Sequence, residues 1–223
     1  MLDEDAGVAG GARARRRAET RRRILDAAWA LSAERGLTGW SLRELGAAVG
    51  LRAPSLYGYA ASKNDLFDLM FADGYRQLLR EVDELPVRDE PVDRLRDVAR
   101  GFVRFAMAEP ARFQLLFQYS APGFVPSAES MRLARRVLDD GARALAEAGV
   151  TDPADVDLWT AVLTGLASQQ VANDPGGDRW LRLVDVAVER FLRSGQAVSL
   201  PAATTSPRAA SASSRTRAKS SSV

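Results

Sequence analysis

The stretch that most restricts the fold runs from residue 41 to 63 and reads SLRELGAAVGLRAPSLYGYAASK. Ser41 and Glu44 have the spacing of a capping box, which predicts that a short helix begins here. Gly50 follows that helix, at a point where a residue without Cβ can adopt a positive φ. Pro54 suits the first turn of a second short helix, because the missing N–H of proline costs nothing there. The stretch therefore predicts two short helices joined by a tight turn.

The apolar residues of this stretch indicate how the two helices pack. Leu45 and Val49 lie four residues apart, so they share one face of the first helix. Leu56 of the second helix can pack against both, and Gly46 is small enough to lie where the helices cross. Two short helices packed in this way form a helix-turn-helix. The pattern also fits a helical corner that serves only for packing.

The composition excludes several kinds of chemistry. The 223 residues include no cysteine and no histidine, while the hydrophobic and charged fractions, 46% and 27%, are those of an ordinary globular protein. Disulfides, thiolate nucleophiles and cysteine metal ligands are therefore absent, and so is the commonest general base. No acid pair, nucleophile–base pair or phosphate loop stands out. We expect no enzyme activity, no catalytic residue, no metal site and no cofactor.

The net charge of +2 conceals a basic segment near the N-terminus. Arginines crowd residues 13–23, where Glu19 is the only acid. Such a segment suits a polyanion, usually nucleic acid or an anionic membrane surface, although a solvated arm without a partner fits it equally well. Residues 1–17 lack periodicity and are predicted to be disordered. No signal peptide or membrane span is visible, so we expect no membrane partner and a cytoplasmic location.

Helical periodicity covers most of the remaining chain, and no strand is convincing. We predict an all-α fold of about nine helices, with a three-helix helix-turn-helix domain at residues 18–85 and a second helical domain at 90–194. Ser62, Ser127 and Asp152 stand where helix N-caps are expected. The Ser-, Ala-, Thr- and Pro-rich tail, residues 195–223, is predicted to be disordered. The predicted helices cover residues 19–35, two within 42–59, 62–85, 92–108, 110–119, 127–149, 153–172 and 178–193.

The second short helix offers a physical route to DNA. A helix of this width fits the major groove with its N-terminal residues closest to the base edges. Arg52, Ser55 and Tyr57 can donate hydrogen bonds there, and Arg43 of the preceding helix is a candidate for reading guanine. Lys63 and the backbone N–H groups that begin the next helix are candidate phosphate contacts. The arginine-rich segment would add salt-sensitive affinity without sequence information.

Residues 21–71 resemble the N-terminal domain of TetR-family transcriptional regulators. The resemblance lies in the segments ILDAA, AERG, SLRELGAAVGL, PSLY and SKNDLF. It implies a DNA-binding transcriptional regulator, specifically a ligand-responsive repressor that binds a palindromic operator as a homodimer. The DNA contacts implied by the resemblance are Ser41, Arg43, Ala53, Pro54, Ser55, Tyr57 and Lys63.

The chain departs from the family pattern directly after the second short helix. Tyr59, Ala60 and Ala61 stand where the family commonly has His-Phe-Pro. Tyr59 can donate one hydrogen bond to a phosphate, but it cannot carry charge, and we include it among the expected DNA contacts. Gly58 is read as lying inside the short helix, at some cost in helix propensity relative to Ala.

The C-terminal half resembles the effector-binding and dimerisation domain of the same family, through its helix count and the segment LWTAVLTGLASQQVANDPGGDRW. By that resemblance, the last two helices pair with those of a second subunit. A row of small residues on the first of them is an independent reason to expect close helix packing, although packing within one subunit explains the row equally well. The candidate dimer residues are Ala161, Gly165, Ser168, Ala172, Leu183 and Ala187.

Aromatic and apolar residues of the C-terminal half also form a plausible lining for a small hydrophobic effector. Gln170 would supply polarity in such a pocket. Ordinary core packing explains each of the apolar residues as well. The candidate pocket residues are Phe102, Phe105, Phe113, Phe117, Tyr119, Met131, Trp159, Leu163 and Gln170.

Two other functions stay open at this point. An architectural DNA-binding protein could use the basic arm and tail without sequence preference, and equal affinity for random and cognate DNA would favour it. A helical ligand-binding protein or enzyme could use the helix-turn-helix only as a scaffold, and turnover of a small molecule would favour that function.

Overall fold

The computed structural model describes residues 4–118 and 120–197. Within these residues the chain forms nine α-helices and one 3₁₀ turn, with no strand, so the predicted all-α fold is confirmed. The N-caps predicted at Ser62, Ser127 and Asp152 form, each accepting a backbone N–H of its first turn. The helices are α1 (Glu4–Arg35), α2 (Leu42–Ala48), α3 (Ala53–Tyr57), α4 (Lys63–Asp83), α5 (Pro91–Ala108), α6 (Pro110–Phe117), α7 (Ala128–Glu147), α8 (Pro153–Asn173) and α9 (Val184–Ala197).

Helix α1 begins much earlier than the sequence predicts. It runs from Glu4 through the arginine-rich segment, so the prediction of disorder over residues 1–17 is wrong for residues 4–17. Alanine and arginine are among the best helix formers, and their abundance here outweighs the lack of an apolar stripe. Residues 1–3 and the tail from 198 onward lie outside the described residues, so the disorder predicted for them stays a prediction.

A first apolar cluster holds α2 and α3 against α1 and α4. Ile24 of α1, Leu45 of α2 and Leu66 of α4 are each fully buried in it, and Leu56 of α3 is 1% exposed. Burying such side chains stabilises the protein by roughly 1.5–3 kcal/mol each. The helix-turn-helix is therefore fixed to the longer helices on either side of it.

A second apolar cluster is organised around α5, which packs against α7, α8 and α9. Leu95 and Val103 of α5 meet Leu145 of α7, Trp159 of α8 and Val188 of α9, all of them at most 5% exposed. Phe102 and Phe117 pack against both clusters, so apolar packing is continuous between the two halves.

An ionic cluster lies where α1, α4 and α6 meet. Arg112 of α6 is only 9% exposed, and its guanidinium donates to Asp73 of α4 at 2.8 Å and to Glu109 at 2.9 Å. Trp29 of α1 donates its indole N–H to the same Asp73 carboxylate at 2.9 Å, and its ring centre lies 4.5 Å from the guanidinium carbon. A buried charge is costly unless it is paired, and this one has two carboxylates and an aromatic face. The cluster ties the N-terminal helices to α6.

The link between α8 and α9 is organised by the fully buried side chain of Gln170. Its amide nitrogen donates to the backbone oxygens of Asp174 and Gly177, and its oxygen accepts from the backbone N–H groups of Trp180 at 2.8 Å and Leu181 at 3.1 Å. The final helix therefore starts with a 3₁₀ turn at Leu181–Leu183 and becomes α-helical only at α9, later than the predicted residue 178.

Candidate nucleic-acid interface and effector cavity

The predicted capping box forms at the start of α2. The Ser41 hydroxyl accepts the backbone N–H of Glu44 at 3.3 Å and donates to the Glu44 carboxylate at 2.7 Å, which also accepts the backbone N–H of Ser41 at 2.8 Å. The hydrogen bond from the Ser41 hydroxyl lowers the pKa of Glu44 most, followed by the hydrogen bond from the Ser41 backbone N–H and the charge of Arg35. The Glu44 carboxylate that completes the capping box is therefore ionised at neutral pH. Gly50 follows α2 with a φ of 68°, and Pro54 lies in the first turn of α3, both as predicted.

Gly46 lies where α2 meets the turn that leads into α3. A Cβ at this position would lie 3.1 Å from the backbone oxygen of Leu51 and 3.6 Å from Cδ2 of Leu56. Leu45, Val49 and Leu56 are buried together. The helix-turn-helix packing predicted from the sequence is confirmed.

We expect Gly46→Val to lower the free energy of unfolding by about 1–3 kcal/mol, the usual cost of overpacking. Its Cβ would press on a backbone oxygen, which cannot rotate away as a side chain can. Urea unfolding followed by circular dichroism measures the loss. Ala47→Val is the matched control, because Ala47 is exposed and adjacent on the same helix. Equal losses in the two variants would contradict the close approach.

The exposed face of α3 brings together most of the residues predicted to contact DNA. Tyr57 is 52% exposed, whereas Leu56 beside it anchors the helix in the core. Arg52, Ser55 and Tyr57 present hydrogen-bond donors on this surface, which is compatible with a major groove about 12 Å wide. The exposed residues of this face are Arg52, Ala53, Pro54, Ser55 and Tyr57.

Ser41 and Arg43 lie at the start of α2 and differ in what they offer to DNA. The Ser41 hydroxyl is engaged by Glu44 as both donor and acceptor, so its first role is to place α2. Arg43 is exposed, and its guanidinium makes no hydrogen bond or ion pair within the residues that the structure describes. Arg43 is therefore the stronger candidate for a base contact.

Lys63 does not present its ammonium group as openly as the sequence predicts. The group donates to the backbone oxygens of Thr38, at 3.3 Å, and Trp40, and it lies 4.4 Å from the centre of the Trp40 ring. Burial lowers the pKa of Lys63 below its ordinary value. The ammonium joins α4 to the turn before α2 and keeps only part of its donor capacity for a phosphate.

Two arginines of the basic segment bind the helix-turn-helix, a role that the sequence did not indicate. Arg23 donates to the backbone oxygen of Val49 at 2.8 Å, and Arg17 donates to that of Gly58 at 3.1 Å. Val49 and Gly58 are the C-caps of α2 and α3, where carbonyl groups lack helical partners and carry partial negative charge. Arg17 also lies 5.0 Å from the ring centre of half-buried Tyr59. Because Gly58 is the C-cap of α3, it ends that helix and does not lie inside it as the sequence predicts.

The other arginines of the segment remain exposed along α1. Arg22 lies 4.0 Å from Asp26 in an exposed pair, which contributes little. Positive charge on this surface would attract a polyanion in a salt-dependent way. The exposed arginines are Arg13, Arg15, Arg16, Arg21 and Arg22.

A cavity of about 470 Å³ lies between α4, α5, α7 and α8. Its lining includes four of the predicted pocket residues, namely Phe102, Phe117, Trp159 and Leu163. The α4 and α7 walls, which include Leu78, Val82, Val137 and Leu138, were missed because nothing in their spacing distinguishes them from core residues.

The other predicted pocket residues lie elsewhere. Phe105 and Phe113 are buried in the apolar core, and Met131 packs against the first cluster. Gln170 does not line the cavity, because its amide is fully used in the turn between α8 and α9. Tyr119 lies outside the described residues.

Most of the small residues in the row on α8 are exposed in the part of the chain that the structure describes. Ala161, Gly165 and Ala172 are exposed, and a Cβ on Gly165 would find no heavy atom within 4 Å. Ser168 is half-buried and accepts a hydrogen bond from Gln118 at 3.1 Å. Packing within one subunit therefore does not explain the exposed members of the row.

The last helix and the turn before it also carry apolar side chains that reach the surface. Leu183 is 37% exposed and Ala187 is half-buried, so both predicted dimer residues reach the surface. Leu158 of α8 and Val186 of α9, which the sequence did not single out, are 55% and 39% exposed. The apolar surface is thus larger than predicted.

Residues 4–118 and 120–197 contain neither a membrane-spanning helix nor a cluster of metal ligands. None of the helices there has the length and apolar character needed to cross a bilayer. No group of three or more metal-ligating side chains converges in the same residues.

Two family descriptions match the chain. Residues 24–70 match "Bacterial regulatory proteins, tetR family", and residues 95–195 match "Tetracyclin repressor-like, C-terminal domain". The matched segments together include the helix-turn-helix and most of the second apolar cluster. The chain belongs to the TetR family.

Curated transcriptional regulators are similar to the chain in sequence. The HTH-type transcriptional regulator Rv1816 of Mycobacterium tuberculosis (strain ATCC 25618 / H37Rv) is 31% identical over 124 residues, which are 53% of this chain and 49% of that protein. The same figures hold for the HTH-type transcriptional regulator Mb1846 of Mycobacterium bovis. The chain spans about half the length of the curated relatives that it matches.

Solved structures of TetR-family proteins share the fold. A tetR-family transcriptional regulator from Streptomyces coelicolor aligns with a TM-score of 0.64 at 20% identity, over 80% of this chain and 82% of that one. A bacterial regulatory protein in the tetR family from Rhodococcus RHA1 aligns with a TM-score of 0.58 at 21% identity, over 78% and 95%. At these identities the likeness shows the fold alone. The TetR resemblance read from the sequence is confirmed.

Proposed function

We propose that this TetR-family protein is a transcriptional repressor that binds a palindromic operator as a homodimer and releases it when a small hydrophobic effector binds. The observation that carries the proposal is the exposed face of α3, where potential donors to DNA are held outward by a helix anchored through Leu56. Because its target is chromosomal DNA, we place the protein in the cytoplasm of a bacterial cell.

The exposed row of small residues on α8 supports the homodimer. Small side chains allow the backbones of two helices to approach closely, and Leu158 and Leu183 would add apolar area to the same contact. A two-fold axis through such a contact places two copies of α3 in equivalent positions. Two recognition helices can then read half-sites about 10–10.5 base pairs apart, or a multiple of that distance.

The cavity supports the response to an effector. Its volume of about 470 Å³ falls within the roughly 300–1,000 Å³ typical of small-molecule sites. Leu78 and Val82 of α4 line it, while Lys63 and Leu66 at the other end of the same helix contact the helix-turn-helix region. A ligand that binds one position of α4 better than another shifts the DNA-binding equilibrium by that difference in affinity.

Arg43→Ala and Lys63→Ala test the assignment of DNA contacts. We expect Arg43→Ala to reduce the preference for operator over scrambled DNA by about 5- to 150-fold, the value of one good base contact. Lys63 has only part of its donor capacity left for a phosphate, and such a contact carries no sequence information. Lys63→Ala should therefore weaken binding to both DNAs by a similar, modest factor. Fluorescence anisotropy with DNA from upstream of the protein's own gene measures both effects.

Arg104→Ala is the matched control for the change in charge, since Arg104 is exposed on α5. It should leave the preference for the operator unchanged. If Arg43→Ala lowers the affinity for both DNAs equally, Arg43 makes no base-specific contact.

The exposed arginines of α1 favour one alternative, an architectural DNA-binding protein without sequence preference. Such a protein would bind random and operator DNA equally, and its affinity would fall steeply with salt for both. A regulator keeps a preference for its operator at every salt concentration at which it binds.

A further inference from the structure

The floor of the cavity between α4, α5, α7 and α8 is aromatic. Phe102 and Phe117 line it as an edge-to-face pair with ring centroids 5.0 Å apart, and Trp159 lines it from α8. Aromatic faces bury an apolar body and also attract a positive charge through their quadrupole. The floor alone is compatible with neutral and cationic ligands, but it offers nothing to an anion.

The mouth of the same cavity is acidic. Its charged lining residues are Asp139 and Asp140 of α7 and Asp157 of α8, and neither lysine nor arginine belongs to the lining. Asp140 is paired with Arg143 at 2.9 Å. Asp139 and Asp157 are exposed and make no ion pair within the residues that the structure describes. Two carboxylates therefore remain without a positive partner beside an apolar cavity.

Three arginines beside the cavity face other carboxylates. Arg94, Arg136 and Arg143 line a neighbouring polar cleft together with Asp83, Asp140 and Glu147. Neither Asp139 nor Asp157 lines that cleft. Among the described residues that line the cavity, the only charged side chains are therefore the three aspartates.

From this arrangement we infer that the effector is an organic cation, with an apolar, partly aromatic body on the Phe102, Phe117 and Trp159 floor and an ammonium group between Asp139 and Asp157. A carboxylate-bearing ligand would meet like charges at the mouth, and a neutral ligand would gain no electrostatic attraction from the two carboxylates. The inference rests on the proposed function for the role of the ligand as an effector, whereas its charge follows from the cavity.

Three probes with one aromatic body test the sign of the charge. They are (4-phenylbutyl)trimethylammonium, 4-phenylbutan-1-ol and 4-phenylbutanoate, each titrated into the full chain by calorimetry without DNA. We expect the ammonium to bind about tenfold or more tighter than the alcohol, and the carboxylate to bind more weakly than the alcohol. Equal affinities for the ammonium and the alcohol, tighter binding of the carboxylate, or no binding of the ammonium at millimolar concentration would each overturn the inference.

Paired variants locate the charge. The double variant Asp139→Asn, Asp157→Asn should lose most of the preference for the ammonium and keep its affinity for the alcohol. Asp155→Asn is the control, because Asp155 lies on α8 near Asp157 but does not line the cavity. An unchanged preference in the double variant, or an equal loss in the control, would place the charge recognition elsewhere.

Operator binding, measured separately, distinguishes this inference from the proposed function. If the protein binds its operator but not the ammonium probe, the regulatory function stands and the cationic effector is wrong. If the ammonium binds with the expected preference but no DNA fragment is bound, the cation site stands and the regulatory function is wrong. Release of the operator by the ammonium, and not by the alcohol at equal concentration, would support both.

Discussion

Ala161→Glu is expected to convert the protein from a dimer to a monomer and to weaken operator binding by more than about 100-fold. Ala161 is exposed on α8, in the row of small residues, and residues 4–118 and 120–197 leave it uncovered. In a dimer that packs through this row, the two-fold axis would bring two glutamates into a helix–helix contact without positive partners. Each buried, unpaired carboxylate costs several kcal/mol, which exceeds what a contact of small residues can recover.

Sedimentation equilibrium measures the change in mass, and anisotropy with operator DNA measures the loss of affinity. Ala146→Glu is the matched control, since Ala146 is exposed on α7 and lies outside the row. It should remain dimeric with normal operator binding. A dimeric Ala161→Glu variant with unchanged affinity would move the dimer interface away from this face of α8.

Arg112→Met is expected to lower the free energy of unfolding by about 2–3 kcal/mol. Removing one partner of a fully buried ion pair costs about 3–5 kcal/mol, because the other charge is left without compensation. The expected loss is smaller here because the side chains of Asp73 and Glu109 are 29% and 37% exposed, so water can partly solvate them. Methionine keeps most of the apolar volume of the arginine stem, so the loss reports on the charge.

Urea unfolding with a linear extrapolation measures this loss. Arg104→Met is the control for a surface arginine on the adjacent helix α5, and it should change stability by less than about 0.5 kcal/mol. Combining Arg112→Met with Asp73→Asn should recover part of the loss, because the carboxylate that lost its partner is also removed. A loss in Arg112→Met no larger than that of the control would show that the cluster does not stabilise the link between α1, α4 and α6.

The parts of the helix-turn-helix that could be predicted are those set by neighbours in sequence. The cap at Ser41 depends on Glu44 three residues away, and the turn at Gly50 depends on a backbone angle that favours glycine. The stripe of Leu45, Val49 and Leu56 follows from helical spacing. Such signals are complete within a few residues, so they can be read without knowing the fold.

The parts that could not be predicted depend on partners far along the chain. Arg17 and the Gly58 oxygen that it binds are 41 residues apart, and Lys63 is 23 residues from Trp40. A basic segment shows that charge is present, but it does not show which guanidinium groups are used inside the protein. For this reason Lys63 was predicted to be a free phosphate anchor, whereas its ammonium is bound to the turn before α2.

The residues that line the cavity could not be predicted for the same reason. Phe102 and Phe105 lie three residues apart on α5 and have the same chemistry, yet Phe102 lines the cavity and Phe105 is 1% exposed in the core. Which of two neighbouring rings faces a cavity depends on how α4 and α7 are placed, which periodicity does not reveal. Gln170 was assigned to the pocket for its polarity, and only its partners across the turn show its structural role.

We propose that two copies of the exposed face of α3 read DNA as a symmetric pair. Selection of bound sequences from a randomised pool, with the unmodified protein and with Tyr57→Ala in parallel, tests this claim most directly. We predict that the unmodified protein enriches a two-fold symmetric sequence with half-site centres about 10–10.5 base pairs apart, or a multiple of that distance. Tyr57→Ala should enrich the same sequence more weakly. A pool without an enriched sequence, or an asymmetric sequence enriched equally by both proteins, would contradict the claim.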